Sequence, residues 1–347
     1  MTSYISTQSI SSAMRQSILQ MQSELATSET ELSTGDYADV GQTLGVQAGE
    51  DISLQNQVSY LQTVTNTNQT VSTRLGTTQT ALASLQTIAQ NLLNSVIENT
   101  GSTSNAGVIQ ATGQNDLQNL ISTLNSSANG DYIFGGTNTG QQPITDYYGP
   151  SAPNKSAVDS AFLATFGFSQ TNAGVATISG ANMQSFLDNQ FAPLFQGTNW
   201  TSDWSAASSQ ALTNQISGTQ TATTSVSANN TAFQQLAQAY TMLADLGTQS
   251  LSSSAYEAVT STAQTLLSSA ISNLTQLQAN VGLVQSDVSS ATNQMSLQMN
   301  ILSTQVSNLE SVNPYEVSTR ITDLQTQIET SYSLTSQLQQ LSLVKYL

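Results

Sequence analysis

An apolar position recurs every seven residues between Tyr256 and Leu309. The stretch contains no proline and a single glycine, Gly282, so the pattern predicts one long α-helix with an apolar seam along one side. Such a helix cannot bury its seam against itself, and it therefore requires partner helices from elsewhere in the chain. The seam positions are Leu267, Leu274, Val281, Val288, Met295, Leu302 and Leu309.

Five further segments carry apolar residues at the three- and four-residue spacing of an α-helix. Gly35 follows the first segment and Pro314 precedes the last, and both residue types are typical of helix boundaries. Residues 99–113, which are rich in Gly, Ser, Thr and Asn, are expected to form a loop. The predicted helices span residues 10–32, 50–98, 114–127, 229–246 and 315–345.

Residues 137–228 differ from the rest of the chain, because the helical period is absent and four of the five prolines and both tryptophans lie there. Two pairs of short segments flank a turn residue, Asn172 or Gly218, as the strands of a hairpin would. The predicted strands span residues 165–169 with 174–178 and 211–216 with 221–226, and a short helix is expected within 182–195.

Together these elements predict a mainly α fold: an elongated rod of long antiparallel coiled-coil-like helices from both chain ends, with a small mostly β inserted domain at the tip. The predicted domains are a terminal coiled-coil assembly domain, a helical rod domain and the insert. They comprise residues 1–42 with 315–347, residues 43–136 with 229–314, and residues 137–228.

The charge balance excludes several classes of partner. Only 7% of the residues are charged. The chain has five basic and 21 acidic residues, which gives a net charge of −16. Nucleic acid and anionic membrane surfaces are therefore disfavoured, because both are bound by clustered Lys and Arg. No apolar run has the roughly 18 residues of a membrane span, and the first ten residues lack the basic and apolar regions of a secretory signal.

No constellation of catalytic residues is visible. Histidine and cysteine are absent, which removes the usual transition-metal ligands, thiol nucleophiles and Ser-His triads. The closest acidic groupings, Asp36 with Asp39 and Glu50 with Asp51, are interpreted as solvated loop acids and helix caps. We therefore expect neither an enzyme nor a bound metal or cofactor.

Trp200 and Trp204 allow two interpretations. They could form an exposed platform on which a carbohydrate stacks, or they could be the core of the insert. The core interpretation is favoured because large aromatic side chains are mostly buried.

The two terminal helices have too few apolar residues to form a stable pair on their own. We therefore expect them to fold when they pack against neighbouring subunits. The alternative is that the apolar seams of these helices pack only within an intramolecular helix bundle. The contacts predicted for assembly are Ile18, Met21, Leu25, Leu32, Ile321, Leu324, Ile328, Leu338 and Leu341.

Four motifs resemble the flagellin superfamily of bacterial flagella and, within it, the hook–filament junction family. The first is Tyr4-Ile-Ser-Thr7, followed by a helix that ends Leu32-Ser-Thr-Gly35. The second is Tyr132-Ile-Phe-Gly-Gly136 followed by Pro143. The others are Asn199-Trp200 to Ser205 with Thr224-Ser-Val-Ser-Ala-Asn229, and the C-terminal Ile328-Glu-Thr-Ser-Tyr332 with Leu341-Ser-Leu-Val-Lys-Tyr-Leu347.

The resemblance implies a structural adaptor that is exported unfolded through the flagellar type III channel without a cleaved signal. Its implied partners are the first hook-associated protein, flagellin, further copies of the chain, and a cytoplasmic export chaperone on the C-terminal helix. Flagellin itself is the alternative within the superfamily, and a surface carbohydrate-binding protein is a less favoured one. The chain departs from the family where many members carry an Asp-Asp-Pro loop, because residues 36–45 lack that motif.

Overall fold

The computed structural model describes the backbone of residues 7–344 and the side chains of residues 9–337. The α-helices are α1 (Thr7–Thr34), α2 (Val40–Leu44), α3 (Ala48–Glu98), α4 (Ala106–Leu124), α5 (Pro153–Phe166), α6 (Gly180–Phe186), α7 (Gly197–Asn199), α8 (Thr231–Asp245), α9 (Ser253–Glu310) and α10 (Pro314–Val344). The strands are β1 (Ser127–Ala128), β2 (Asp131–Tyr132), β3 (Thr213–Gln215) and β4 (Thr221–Thr223), paired antiparallel as β1–β2 and β3–β4.

The long helices lie where the periodicity predicts them, and the mainly α fold class is confirmed. The predicted helix at 256–309 lies within α9, which has 58 residues, and the one at 50–98 lies within α3. The predicted start at Asn313-Pro314 is also confirmed, since Pro314 opens α10 and Asn313 Oδ1 accepts a hydrogen bond from the Tyr315 N–H at 3.1 Å.

The chain divides into two compact units. The first comprises residues 1–63 with 296–347, and the second comprises residues 64–295. The first contains α1 packed on α10. The second contains α4 packed on α8 together with the whole of residues 137–228.

Within the second unit α3 and α9 run antiparallel. Asn68 donates a hydrogen bond to Thr292 at 3.1 Å, and Gln86 donates one to Thr275 at 2.9 Å. Later residues of α3 therefore contact earlier residues of α9, as in an antiparallel pair. The α9 seam is buried here, in one hydrophobic core with residues of α3, α4 and α8. The buried seam residues are Leu267, Leu274, Val281, Val288 and Met295, and three buried alanines lie four residues before three of them: Ala263, Ala270 and Ala291.

Helix α4 begins at Ala106, so the expectation of a loop through residue 113 is wrong. Of the glycines that suggested a loop, Gly101 adopts φ +77° just after α3, whereas Gly113 serves close helix packing. A Cβ at Gly113 would lie 3.0 Å from Leu243 Cβ and 3.2 Å from the backbone nitrogen of Ala244, so a larger residue would force α8 to shift by a few tenths of an ångström.

The strand pair predicted at 165–169 and 174–178 is wrong. Residues up to Phe166 belong to α5, and Ala173–Thr177 form a 3₁₀-helix. Two helix signals lie at the ends of α5: Pro153 occupies its first turn, and Gly167 ends it in the left-handed conformation at φ +79°.

The second predicted hairpin is confirmed, with Thr213 opposite Thr223 in the β3–β4 register. The short helix expected within 182–195 is present as α6 and the π- and 3₁₀-helical turns that follow it. The other regular elements described between residues 137 and 228 are helical. The insert therefore contains more helix than strand, and the expectation that it is mostly β is wrong.

Gly113→Ala should lower the free energy of unfolding by about 1–2 kcal/mol, because the crowding of Leu243 exceeds the gain in helix propensity. Gly76→Ala is the matched control in α3, where a Cβ would meet nothing within 4 Å, and it should raise stability by about 0.5–1 kcal/mol. Urea unfolding followed by circular dichroism measures both. Equal shifts of the two variants would contradict the packing argument.

Burial of Asp116 on α4 raises the pKa of its carboxyl to about 6. Because the folded state holds this proton more tightly than the unfolded chain, the group's contribution to stability is present below about pH 4 and lost as pH rises through 6. Asp116→Asn should therefore raise the melting temperature by roughly 2–4 °C at pH 8 and change it little at pH 4. Asp287→Asn, an exposed change on α9, is the control that should shift neither value.

Candidate assembly surfaces

Helices α1 and α10 form an antiparallel pair in the first unit. Gln22 Nε2 donates a hydrogen bond to the Tyr332 hydroxyl at 3.0 Å, and Arg320 lies 3.6 Å from a carboxylate oxygen of Glu31. The Glu31 side chain is nearly buried while Arg320 is half exposed, so this contact orients the helices more than it stabilises them.

The predicted assembly contacts divide by exposure. The nine residues were chosen because they share the apolar seams of the terminal helices, and α1 and α10 bury part of those seams against each other within one subunit. Ile18, Leu324 and Ile328 are buried, Met21, Leu25 and Ile321 are half-buried, and Leu32 is 43% exposed. Leu338 and Leu341 lie outside the residues whose side chains the structure describes.

Other large apolar side chains on these helices face solvent, and the seam pattern did not single them out. Leu19 is 61% exposed on α1, and Tyr315, Tyr332 and Leu334 are exposed on α10. The sequence does contain a signal for them. They are apolar residues that lie outside the seam on helices with few charged residues. They leave apolar area of the first unit exposed to solvent.

A second apolar surface of the first unit lies on α3 and the end of α9. Tyr60 and Ile301 line one groove together with Gln57 and Gln298. Ile301 is 59% exposed, and so is Ile52, which lines a neighbouring groove with Gln57 and Tyr60. This surface too can pack against another helix.

The tryptophans do not form a carbohydrate platform, and that alternative is wrong. Trp200 is 1% exposed and Trp204 fully buried, stacked with ring centroids 5.5 Å apart. Tyr147 also stacks on Trp204 with ring centroids 5.5 Å apart, and the Trp200 indole N–H donates to Asn229 Oδ1 at 3.0 Å. The pair is therefore core, as the favoured interpretation had it.

A charged cluster near this core keeps its lysine and its tyrosine protonated. Lys155 Nζ lies 2.8 Å from Asp245 and 3.0 Å from Asp159, and the Tyr147 hydroxyl donates to Asp245 at 2.6 Å. Burial alone would lower the pKa of Lys155, but the hydrogen bond and charge of Asp245 more than offset this and raise it. Burial also raises the pKa of Tyr147, so both groups keep their protons at neutral pH.

The acidic groupings serve the fold. Asp39 caps α2 by accepting a hydrogen bond from the Gln42 N–H at 2.8 Å, and Glu50 and Asp51 lie in the first turn of α3. Among the residues that the structure describes, no group of three carboxylates could hold a metal ion. None of the described helices combines the length and apolar character needed to cross a bilayer.

Comparison with protein families identifies both ends of the chain. The bacterial flagellin N-terminal helical region matches residues 5–139, and the bacterial flagellin C-terminal helical region matches residues 264–347. The chain belongs to the flagellin superfamily. It is accordingly a structural, self-assembling component of the extracellular bacterial flagellum. A search of curated proteins found no significant match to this flagellin-superfamily chain.

Neighbouring residues on α1 separate assembly from folding. Leu19→Ser should leave the free energy of unfolding nearly unchanged, because Leu19 is 61% exposed, and should weaken self-assembly. Ile18→Ser should instead destabilise the α1–α10 pair by about 2–4 kcal/mol, because Ile18 is only 6% exposed. Light scattering reports assembly and urea unfolding reports stability.

Leu163→Ser, which removes a half-exposed leucine of α5 in the second unit, is the control for loss of any exposed apolar side chain. Assembly by Leu19→Ser at the wild-type rate would contradict a role for this face of α1.

Proposed function

We propose that this chain is the adaptor that joins the flagellar hook to the filament. The observation that carries the proposal is the motif Tyr132-Ile-Phe-Gly-Gly136, which resembles the turn typical of the junction family. The turn requires its glycines: a Cβ at Gly135 would lie 2.5 Å from the Asn138 carbonyl oxygen, and Gly136 adopts φ +62° against the Ser208 carbonyl. Ile133 and Phe134 are buried, so the motif is a fixed part of the second unit.

In this proposal the terminal helices make the joints. Residues 1–42 with 315–347 form the assembly domain, residues 43–136 with 229–314 the rod, and residues 137–228 the insert. The exposed Leu32, Tyr315 and Tyr332 lie on α1 and α10, where subunits of a helical assembly would meet. The partners are the first hook-associated protein on one side, flagellin on the other, and copies of the chain in the same ring.

Export precedes assembly in this account. The chain has no cysteine and only 7% charged residues, so it can cross a narrow channel unfolded and refold without redox chemistry. A cytoplasmic chaperone bound to the C-terminal helix would keep its apolar seam from aggregating before export. The protein then lies outside the cell, in the flagellum.

Bulk flagellin is the alternative function, because the two family regions that match the chain are the N- and C-terminal helical regions of bacterial flagellin. A deletion strain separates the two. Loss of the adaptor leaves intact hooks while flagellin is secreted into the medium, whereas loss of flagellin leaves hooks with little protein to export. Secreted flagellin in the deletion strain supports the adaptor, and its absence refutes it.

Removal of residues 335–347 should abolish incorporation into the flagellum, because it takes away the last ten residues of α10, almost three turns, together with the predicted contacts Leu338 and Leu341. The segment 50–312 should keep its thermal unfolding transition, since its core lies in α3, α4, α8 and α9. Differential scanning calorimetry and electron microscopy of complemented cells provide the measurements. Loss of the thermal transition in the truncated chain would show that the ends support the body rather than the assembly.

A further inference from the structure

The amide of one glutamine is shared between two carboxylates in the first unit. Gln55 Nε2 donates to Asp51 Oδ2 at 3.1 Å and to Glu310 Oε1 at 2.6 Å. Asp51 is 2% exposed in the first turn of α3, and Glu310 is the last residue of α9. Two carboxylates this close repel each other unless one of them holds a proton.

Asp51 Oδ1 lacks a donor. The atom is buried and has no hydrogen-bond partner, although a buried carboxylate oxygen normally has one. Gln55 holds the Glu310 carboxyl beside the Asp51 carboxyl, because its amide nitrogen contacts one oxygen of each. A proton on Glu310 would supply the missing donor and remove the repulsion in one step.

Glu310 is also tied to the connector between α1 and α2. Its carbonyl oxygen accepts a hydrogen bond from the Tyr37 N–H at 2.8 Å, and the Val312 N–H donates to the Gly35 carbonyl at 2.9 Å. These bonds join the turn between α9 and α10 to residues 35–37. A change in the position of Glu310 is therefore transmitted directly to this connector.

We propose that Asp51 and Glu310 form a proton-operated latch that holds the end of α9 and residues 35–37 against α3. With one proton shared the latch is closed, and with both carboxyls ionised their repulsion loosens it. Asp36 of the connector adds a third negative charge, while Arg320 of α10 is engaged with Glu31 and Glu316. The latch is a property of the single subunit and does not depend on the adaptor role.

The direction of the pH response follows from the environment of Glu310. Burial and the charges of Asp51 and Asp36 raise the pKa of Glu310, and the Gln55 hydrogen bond only partly opposes them. A raised carboxyl pKa means that Glu310 holds its proton more tightly in the folded protein than in the unfolded chain. Its stabilisation is complete at acid pH and is lost as pH rises through the raised value.

The test measures hydrogen exchange of the Tyr37 and Val312 amides in the full-length chain between pH 5 and pH 8, corrected for the pH dependence of the chemical exchange step. Protection should fall several-fold as the pH rises. Glu310→Gln, whose side chain donates to Asp51 without titrating, should keep high protection at every pH. Glu316→Gln, a change at a largely exposed acid in α10, should keep the wild-type profile.

Wild-type protection that stays constant with pH, or a Glu310→Gln variant that keeps the wild-type dependence, would overturn the latch. If Glu310→Gln fails to fold, Asp51→Asn offers the same test from the other carboxyl, since it too removes the repulsion. Carbon-13 chemical shifts of the Asp51 and Glu310 carboxyls give a direct readout of where the proton resides. Two ordinary, independent titrations would also contradict it.

Discussion

Burial of the α9 seam is the interaction on which the second unit depends. Leu267 and Leu274 are fully buried, and each such side chain contributes about 1.5–3 kcal/mol, far more than an exposed ion pair worth about 0–1 kcal/mol. The seam alone would allow α3 and α9 to slide past each other. Asn68 opposes this, because its buried amide donates both to Thr292 on α9 and to the Ile216 carbonyl at 2.8 Å beside the β3–β4 hairpin. Apolar burial supplies the stability here, and one polar side chain specifies the register.

Periodicity predicted the long helices because they are long. A spacing repeated over many turns leaves little room for an alternative structure. Between residues 137 and 228 each element is short, and local β propensity was misleading at 165–169. There Phe166 and Phe168 belong to an aromatic cluster with Phe162 and Phe186, so tertiary packing decides the conformation.

The assembly surface could be predicted only in part for a related reason. A seam shows which face of a helix meets a partner, but it does not show whether that partner belongs to the same chain. Ile18 was predicted as an intersubunit contact and is buried in its own unit, whereas its neighbour Leu19 is exposed. In a family that assembles itself, the apolar residues left outside the intramolecular seam are the better candidates for contacts between subunits.

Position within the flagellum tests the adaptor function most directly. Antibodies against residues of the second unit, applied to intact flagella and detected with gold particles by electron microscopy, report where the chain lies. The account predicts a single band of label at the boundary between hook and filament. Label distributed along the whole filament would contradict it and identify the chain as bulk flagellin.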